Sequence, residues 1–393
     1  MPLDLSLPDR PRVAANVAAV PPPPIPVCRA WATHYDGSAG PVIDLTQAVP
    51  AWPPPSELRE RLAIAAADPR LAAYGPLEGE PELRAAVADE TFRLYGGDVT
   101  AADVGVTAGA NVAFHLAATV LAAPGERVIL PAPWFFNHQM ALALRGVAAV
   151  PLPCRADDGF LPDPDRAAEL IGPGVRAIVL VTPNNPTGAV MPPELLDRFA
   201  ALCRARGLWL VLDETYRDFL PGAARPHRLF DRPDWRDFVV QLYSFSKAYC
   251  VPGHRMGSVV AGPAFRAELL KAVDNLQICP PRPPQAALAW AVPALRAWRA
   301  ENAERITAGA RAFSEAMAAT PGWRIDAMGA YFAWVRVPNG AEDSRAVARR
   351  LASERGVVTL PGAVFGPGGS RHLRMAFAGL QPEVCPALAA RLG

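Results

Sequence analysis

The sequence predicts an α/β fold, with a mostly parallel central sheet flanked by helices in a large domain and a smaller α+β domain beside it. From about residue 55, short runs rich in Val, Ile and Leu alternate with helical stretches, and these runs are apolar on both faces. After about residue 295, long Ala- and Arg-rich helices with few strands replace this alternation. We therefore expect a large domain over residues 45–295, and a small domain formed by residues 296–393 together with an N-terminal arm, 1–44.

The individual elements can be placed from their local patterns. The stretch ELRAAVADETFRLY has helical apolar spacing, whereas the proline-rich run PPPPIP at 21–26 favours an extended polyproline arm. Two strands of the small domain are expected at YFAWVRV and HLRMAFA. The strands of the large sheet are expected at 104–107, 126–131, 177–182, 208–214, 238–244 and 257–262.

Composition excludes several classes of function. The net charge of the 393 residues is +1, so the chain has no field that would gather nucleic acid or an anionic membrane. The N-terminus MPLDLSLPDRPR has neither the basic region nor the apolar region of a signal peptide. The six cysteines form no C-x-x-C pair and no metal-binding spacing, so we interpret them as reduced thiols of a cytoplasmic protein without a metal site.

Lysine is the rarest charged residue of the chain. Of 39 Lys and Arg residues only two are lysines, Lys247 and Lys271. Arginine replaces lysine readily as a solvated charge, but a guanidinium cannot lose its proton and attack a carbonyl. Lys271 lies in RAELLKAVDNL, whose apolar residues recur at helical spacing, so it is interpreted as part of a solvated helix face. Lys247, in SFSKAYCVPGHRMG, is the candidate catalytic amine.

Polar motifs follow four of the predicted strands. Because ligands bind beyond the carboxyl ends of parallel strands, these motifs are expected to meet at one edge of the sheet. They are TAGAN at 107–111, PNNPTG at 183–188, DETY at 213–216 and SFSK at 244–247.

The chemistry of these motifs suits one cofactor. A helix N-terminus at TAGAN, the hydroxyls of SFSK and the guanidinium of Arg255 suit a phosphate dianion. The strand-end carboxylate of Asp213 needs a partner, either a structural one or a protonated ring nitrogen of a ligand. Together with Lys247, this combination indicates pyridoxal 5′-phosphate bound as a Schiff base.

The chain resembles the class I/II aminotransferases, which are fold type I pyridoxal-phosphate enzymes, from about residue 40 to the C-terminus. The seven motifs that carry the resemblance occur in the order usual for the family. They are YGPLEGEPELR, TAGAN, PAPWFFNH, PNNPTG, DETY, SFSKAYCVPGHRMG and LPGAVFGPGGSRHLRMAF.

The resemblance implies a role for each matching residue. Lys247 would form the internal aldimine and transfer the proton at the substrate's α-carbon. Asp213 would pair with the pyridine nitrogen of the cofactor. Tyr216 and Asn185 would hydrogen-bond its phenolic oxygen, and Asn185 would also lie beside the substrate. The catalytic set is thus Lys247, Asp213 and Tyr216.

The remaining implied contacts concern the ring face, the substrate and the phosphate. Trp134 would stack on the cofactor ring. Arg374 would bind the substrate's α-carboxylate, and Ala48, where the family usually has glycine, would narrow the substrate pocket. Tyr74 would reach the phosphate in the neighbouring subunit, which makes a homodimer necessary. The expected phosphate cradle is formed by Ala110, Asn111, Ser244, Ser246 and Arg255.

The implied reaction is transfer of the amino group of an L-amino acid to a 2-oxo acid by way of pyridoxamine phosphate. Asn111 stands where one subgroup that acts on acidic substrates has lysine, which favours a neutral or aromatic donor. A β- or γ-lyase, a decarboxylase or a cyclase using the same residues remains open, as does a non-catalytic effector domain. The sequence also leaves open whether Arg282 or Cys250 takes part.

Overall fold

A computed structural model of the chain describes residues 12–220, 222, 225–340 and 342–393. Within these residues the α-helices are α1 Ala15–Ala18, α2 Pro24–Trp31, α3 Ser56–Ala67, α4 Pro81–Tyr95, α5 Ala110–Leu121, α6 Phe136–Leu144, α7 Pro164–Leu170, α8 Pro193–Arg206, α9 Phe245–Ala248, α10 Pro263–Gln277, α11 Arg282–Ala294, α12 Arg296–Ala318, α13 Ser344–Arg355 and α14 Cys385–Leu392. The strands are β1 Ile43–Asp44, β2 Val104–Thr107, β3 Arg127–Ala132, β4 Ala148–Pro153, β5 Val175–Val181, β6 Trp209–Asp213, β7 Val239–Ser244, β8 Gly257–Ala261, β9 Arg324–Gly329, β10 Phe332–Arg336, β11 Val357–Val358, β12 Leu360–Pro361 and β13 His372–Ala376.

In the described part of the chain, the large sheet has seven strands in the order β2-β8-β7-β6-β5-β3-β4. Only β8 runs antiparallel to its neighbours, β2 and β7. The predicted fold class is therefore confirmed. The edge strand β4 was not predicted, because its sequence AAVPLP contains Pro151 and Pro153. An edge strand pairs on one side only, so it tolerates residues that lack an amide hydrogen.

The sheet order brings four chain segments to one edge. Since β8 is antiparallel to both β2 and β7, strands β2, β5, β6 and β7 all run in the same direction. Their carboxyl ends are Thr107, Val181, Asp213 and Ser244. The motifs that follow these strands start from the same edge of the sheet, as the sequence predicted.

Alternate residues of the strands pack into two apolar layers. On one face, Val128, Val211 and Val259 pack with side chains of α5 and α10. On the other face, Ile129 and Leu210 pack with side chains of α4, α8 and α11. Burial on both faces explains why the strand sequences are continuously apolar.

The small sheet is antiparallel, with its strands in the order β12-β13-β10-β9, and α12 and α13 pack against it. Strand β13 carries Arg374, and β1 pairs in parallel with β11. The domain boundary at residue 295 stays a prediction.

The N-terminal proline run differs from the prediction. Helix α2 begins at Pro24, so only the first part of PPPPIP is non-helical. Proline in the first helical turn loses no intrahelical hydrogen bond, because those amides have no partner within the helix. The helix packs on α13, with the guanidinium of Arg349 5.5 Å from the centroid of the Trp31 ring. Among the described helices, none combines the length and apolarity that crossing a membrane requires.

Candidate active site

A pocket of about 610 Å³ lies at the carboxyl edge of the large sheet. It is closed by the first turn of α2, by residues 47–49 and by β13, so widely separated parts of the chain form one site. The sequence-predicted residues that line it are Ala48, Ala110, Asn111, Asn185, Asp213, Tyr216, Ser244, Ser246, Lys247, Arg255 and Arg374.

Lys247 is held by the short helix α9, which follows β7 directly. The Ser244 hydroxyl caps this helix by accepting a hydrogen bond from the amide of Ser246 at 3.3 Å. The Lys247 ammonium donates to the backbone carbonyl of Ala48. Burial, together with the charges of Arg374 and Arg255, lowers the pKa of Lys247 to about 8. The amine therefore loses its proton much more readily than a solvated lysine does.

Asp213 ends β6 and is buried beside a histidine that was not predicted. Its Oδ2 lies 3.1 Å from Nε2 of His138, and its Oδ1 accepts the amide hydrogen of Thr215 at 3.0 Å. Burial opposes ionisation of Asp213, but the hydrogen bonds and charge from His138 and the bonds from Thr215 outweigh it and lower the pKa. Asp213 is therefore held as a carboxylate.

His138 lies in α6 and stacks on Phe114, with 3.9 Å between the ring centroids. Its place at the end of PAPWFFNH, a motif that leads into the site, was the signal that could have identified it. The pattern does not show its partner, because Asp213 lies 75 residues further along the chain.

A cradle for an anion lies at the start of α5. Gly109 caps this helix with φ of +94°, and a Cβ at this position would lie 2.4 Å from Nη2 of Arg255. The guanidinium of Arg255 also donates to the carbonyl of Pro252 at 2.8 Å. The hydroxyl-bearing residues Ser244 and Ser246 line the same pocket. A helix N-terminus, a guanidinium and hydroxyls together suit a phosphate group.

Arg374 is almost fully buried, with 2% of its surface exposed. It donates to the backbone carbonyl of Thr46 and, at 3.2 Å, to Oδ1 of Asn185, while its Nε has no hydrogen-bond partner. The rings of Phe332 and Phe365 lie 5.0 and 5.3 Å from its guanidinium carbon. Burial lowers the pKa of Arg374 to about 10. A carboxylate entering the pocket would restore the electrostatic stabilisation that this cation lacks.

Tyr216 follows the DET segment and is buried in the pocket wall, where burial raises the pKa of its hydroxyl. Its ring packs on Phe332 and Tyr331, with centroids 5.1 and 5.4 Å away. The hydroxyl is thus kept protonated and able to donate a hydrogen bond.

The stacking role of Trp134 stays a prediction, and the structure places this residue beside the pocket. Trp134 is absent from the described lining of the pocket, whereas the next residue, Phe135, is part of it. The Trp134 amide donates to the carbonyl of Phe365 at 2.8 Å, and its indole packs over Gly366 beside a separate apolar cavity. Phe135 is therefore a second candidate for the contact with the cofactor ring.

Three other residues lie outside the pocket. Tyr74 is 77% exposed in the single chain. Arg282 forms an ion pair with Glu80 at 2.5 Å, a contact that ties α11 to α4. Cys250 is buried, and burial raises the pKa of its thiol to about 12, which keeps the thiol protonated. The contacts of Arg282 and the burial of Cys250 are therefore those of structural residues.

The pocket suits pyridoxal phosphate by its donor set. No ion pair joins Lys247, Arg255 or Arg374 to any residue that the structure describes. The amine of Lys247, with its lowered pKa, can react with the cofactor's aldehyde. The cradle at Arg255 can bind a phosphate, and the ionised Asp213 can pair with a protonated ring nitrogen. Arg374 is left for the carboxylate of a substrate.

Comparisons with known proteins agree. The family model for aminotransferase class I and II matches residues 40–392. The chain is 32% identical over 357 residues to the aromatic aminotransferase ISS1 of Arabidopsis thaliana, covering 89% of this chain and 88% of that protein. It is also 32% identical over 330 residues to the arginine–pyruvate transaminase AruH of Pseudomonas aeruginosa, covering 80% of this chain and 81% of that protein.

The solved structure of an aspartate aminotransferase from Thermus thermophilus with maleate is similar at a TM-score of 0.89 and 26% identity, covering 97% of this chain and 98% of that chain. The predicted family, cofactor and aminotransferase reaction are confirmed. The chain belongs to the class I and II aminotransferases, and it is a pyridoxal-phosphate-dependent enzyme that moves an amino group between an amino acid and a 2-oxo acid.

Proposed function

We propose that this aminotransferase works as a homodimer and takes its amino group from a neutral or aromatic L-amino acid in preference to an acidic one. Three cations line the described pocket, and the proposal gives each of them a partner. Lys247 would react with the cofactor's aldehyde, Arg255 would bind its phosphate, and Arg374 would bind the donor's α-carboxylate. No further lysine or arginine of the described lining is left for a second carboxylate. This observation carries the proposal.

The chain's own residues would hold and move the reacting groups. Pyridoxal phosphate, when bound, supplies an aldehyde that takes up the amino group and a ring that accepts electrons from the α-carbon. Lys247 would attach the cofactor and then move the proton at the α-carbon of the substrate. Asp213, kept ionised by His138, would hold the ring nitrogen protonated. Asn185 and Tyr216 would donate hydrogen bonds to the phenolic oxygen.

The remaining contacts would position the cofactor and the donor. Phe135 or Trp134 would pack on the ring, and the backbone carbonyl of Ala48 already accepts a hydrogen bond from Lys247. The phosphate would be held by Ala110, Asn111, Ser244, Ser246 and Arg255.

The wall near the expected donor side chain is largely apolar. The first turn of α2 contributes Pro24 and Ile25, and α6 contributes Phe136. An apolar wall stabilises an apolar side chain by burial and offers no partner to a charged one. The relative named as an aromatic aminotransferase supports this preference, while those named for arginine and aspartate show that the family accepts charged donors.

The dimer is proposed from Tyr74. A tyrosine that is 77% exposed in one chain is available to a second subunit, and the resemblance to the family assigns it to the neighbouring phosphate. The cytoplasmic location expected from the cysteines stays a prediction.

The test is an absorption spectrum of the holoenzyme with single amino acids and no 2-oxo acid. Phenylalanine, tyrosine or leucine should convert the cofactor to its amino form faster than aspartate or glutamate, and a 2-oxo acid should reverse the change. Arg374→Lys keeps the charge but loses the bidentate fork, so it should raise the KM for every donor. A preference for aspartate or glutamate would contradict the proposal.

A further inference from the structure

A second cavity, of about 480 Å³, lies beside the turn Arg217–Phe219, which directly follows Tyr216 of the active site. The end of α4, the start of α12 and the described residues Leu220, Gly222, Arg225 and Pro226 form its other walls. We call it the arginine cavity, because the arginines that line it among the described residues are Arg93, Arg217, Arg225, Arg296 and Arg299.

One buried carboxylate beside this cavity is shared by three of the arginines. The side chain of Glu90 is 1% exposed and lies 2.8 Å from Arg93, 2.8 Å from Arg296 and 2.7 Å from Arg299. Both of its oxygens are occupied by these contacts. Glu90 therefore has no further hydrogen-bonding capacity for the rest of the cavity.

Two more carboxylates contact the arginines of the cavity. Asp218 accepts hydrogen bonds from Arg299 and, at 2.7 Å, from the hydroxyl of Tyr243. Asp231 lies 2.6 Å from Arg225, whose Nε has no hydrogen-bond partner. Four of these guanidiniums thus contact three carboxylates in the described structure, and Arg217 contacts none of the three.

Arg217 differs from the other four arginines of the cavity. It is 7% exposed, its Nε lacks a hydrogen-bond partner, and it makes no ion pair with a residue that the structure describes. Its guanidinium carbon lies 3.8 Å from the centroid of the Tyr243 ring. Glu214, whose Oε2 is hydrogen-bonded to Gln241 and His227, lies near enough for its charge to act on Arg217. Burial disfavours the charge of Arg217, but Tyr95, Tyr243, Asp218 and Glu214 raise its pKa. Arg217 therefore stays a cation that an anion from solution can contact directly.

We propose that the arginine cavity is an anion-binding site, separate from the catalytic pocket, that takes a phosphate-bearing ligand. Guanidinium forks match the geometry of phosphate oxygens, and a phosphate would contact the guanidinium that no carboxylate contacts. The ligand is inorganic phosphate or a phosphate ester. Phe92 and Leu94 line the same cavity and offer apolar surface to the organic part of an ester.

The experiment is a calorimetric titration of the holoenzyme with inorganic phosphate and, separately, with phenyl phosphate. Chloride is exchanged for the titrant at constant ionic strength, so that general screening does not change. The holoenzyme is used because the cofactor's own phosphate then occupies the Arg255 cradle. Saturable binding is expected, and Arg217→Met should weaken it at least tenfold.

Matched variants distinguish specific binding in the arginine cavity from nonspecific electrostatic attraction of phosphate to the protein surface. Arg176→Met removes an exposed arginine that lies 3.6 Å from Glu126, far along the chain from the cavity, and should leave the affinity unchanged. Arg225→Gln, at a position whose side chain is 33% exposed, provides the test if Arg217→Met does not fold. Tighter binding of phenyl phosphate assigns an ester, and equal binding assigns inorganic phosphate. Absence of saturable binding, or unchanged affinity in both cavity variants, would overturn the proposal.

Discussion

Lysine and arginine are used differently in this chain, and the difference is chemical. Almost every cation is arginine, and Lys271, one of the two lysines, forms an exposed pair with Glu268 at 2.8 Å. Lys247 instead lies in the pocket, where burial and two neighbouring arginines lower its pKa to about 8. Only at Lys247 does the environment favour a neutral amine, which is the form that reacts with a carbonyl.

The two lysines allow a matched pair of variants. Lys247→Arg keeps the charge but removes the amine, so we expect turnover to fall by at least ~10³-fold while the fold is retained. Lys271→Arg should leave activity unchanged, because a solvated pair does not need a particular cation. Transamination rates and circular dichroism of both variants check this. Substantial turnover by Lys247→Arg would show that the catalytic amine has been assigned wrongly.

The low pKa of Lys247 predicts how the apoprotein captures its cofactor. The neutral amine reacts, so the capture rate should rise with pH and level off above about pH 8. An unperturbed lysine would continue to gain rate towards about pH 10. Because the charge of Arg374 helps to lower this pKa, Arg374→Met should move the midpoint to higher pH. Stopped-flow absorbance measures the rate, and a wild-type midpoint near pH 10 would refute the expectation.

Sequence patterns identify residue types better than side-chain directions. PAPWFFNH was correctly placed at the site, yet Phe135 and not Trp134 lines the pocket. His138 was overlooked, although it contacts Asp213 at 3.1 Å. Both depend on how α6 sits against β6, a contact between segments that are distant in the chain.

At the scale of elements, the junction between β2 and α5 is built around one glycine. The positive φ of Gly109 directs the chain from the strand into the helix, and the absence of a side chain lets Arg255 approach. The local motif TAGAN was therefore enough to predict the turn, and the role of this turn near an anion stays a prediction.

Gly109→Ala should weaken cofactor binding. The new Cβ would lie 2.4 Å from Nη2 of Arg255, and alanine is strained at φ of +94°. We expect the Kd for pyridoxal phosphate to rise at least tenfold, which corresponds to about 1.4 kcal/mol. Fluorescence titration of the apoprotein measures it.

The matched control is Gly309→Ala within α12, where a Cβ meets no atom within 4 Å. This change should leave the Kd unchanged and stabilise the helix by up to ~1 kcal/mol. Equal effects of the two substitutions on the Kd would mean that the absence of a side chain at Gly109 is not needed for cofactor binding.

Most strands of the large sheet were predictable from the sequence. The strand that was missed in this sheet contains proline, and so does the helix that was missed near the N-terminus. Central strands are apolar on both faces, so their sequences alone reveal them. Strand β4 and helix α2 were missed, because proline is tolerated at a sheet edge and in a first helical turn. Only the position of each segment in the fold shows that its prolines are acceptable there.

At the scale of the whole molecule, the pocket joins three distant segments. Lys247 donates to the carbonyl of Ala48, and Arg374 donates to the carbonyl of Thr46. The small sheet thus contributes the cation expected to bind substrate, while the large sheet contributes the amine and the anion cradle. A movement of the small sheet relative to the large sheet would therefore change the distance between Arg374 and Lys247 in the pocket.

A shared site predicts complementation between subunits. Tyr74→Phe should weaken cofactor binding about tenfold or more, through loss of a hydrogen bond to a charged group. A hybrid of one Tyr74→Phe chain and one Lys247→Ala chain has one pocket with both Lys247 and the partner's Tyr74. It should regain about half of the wild-type turnover per dimer.

Differently tagged chains allow the hybrid to be purified and its turnover measured at limiting cofactor. The two parent homodimers serve as controls, since neither contains an intact site. A hybrid no better than the Tyr74→Phe homodimer would argue that each chain uses its own Tyr74.

Local sequence patterns are enough to predict the fold class and the cofactor, and they lead to the expectation that Lys247, Asp213 and Arg374 hold the cofactor and the substrate. These features depend on local patterns, namely apolar strands, polar strand ends and ordered motifs. The tertiary structure alone decided that Phe135 lines the pocket, that His138 keeps Asp213 ionised and that five arginines surround a second cavity. It also decided the pKa of Lys247, because burial and through-space charge depend on neighbours that sequence spacing does not reveal.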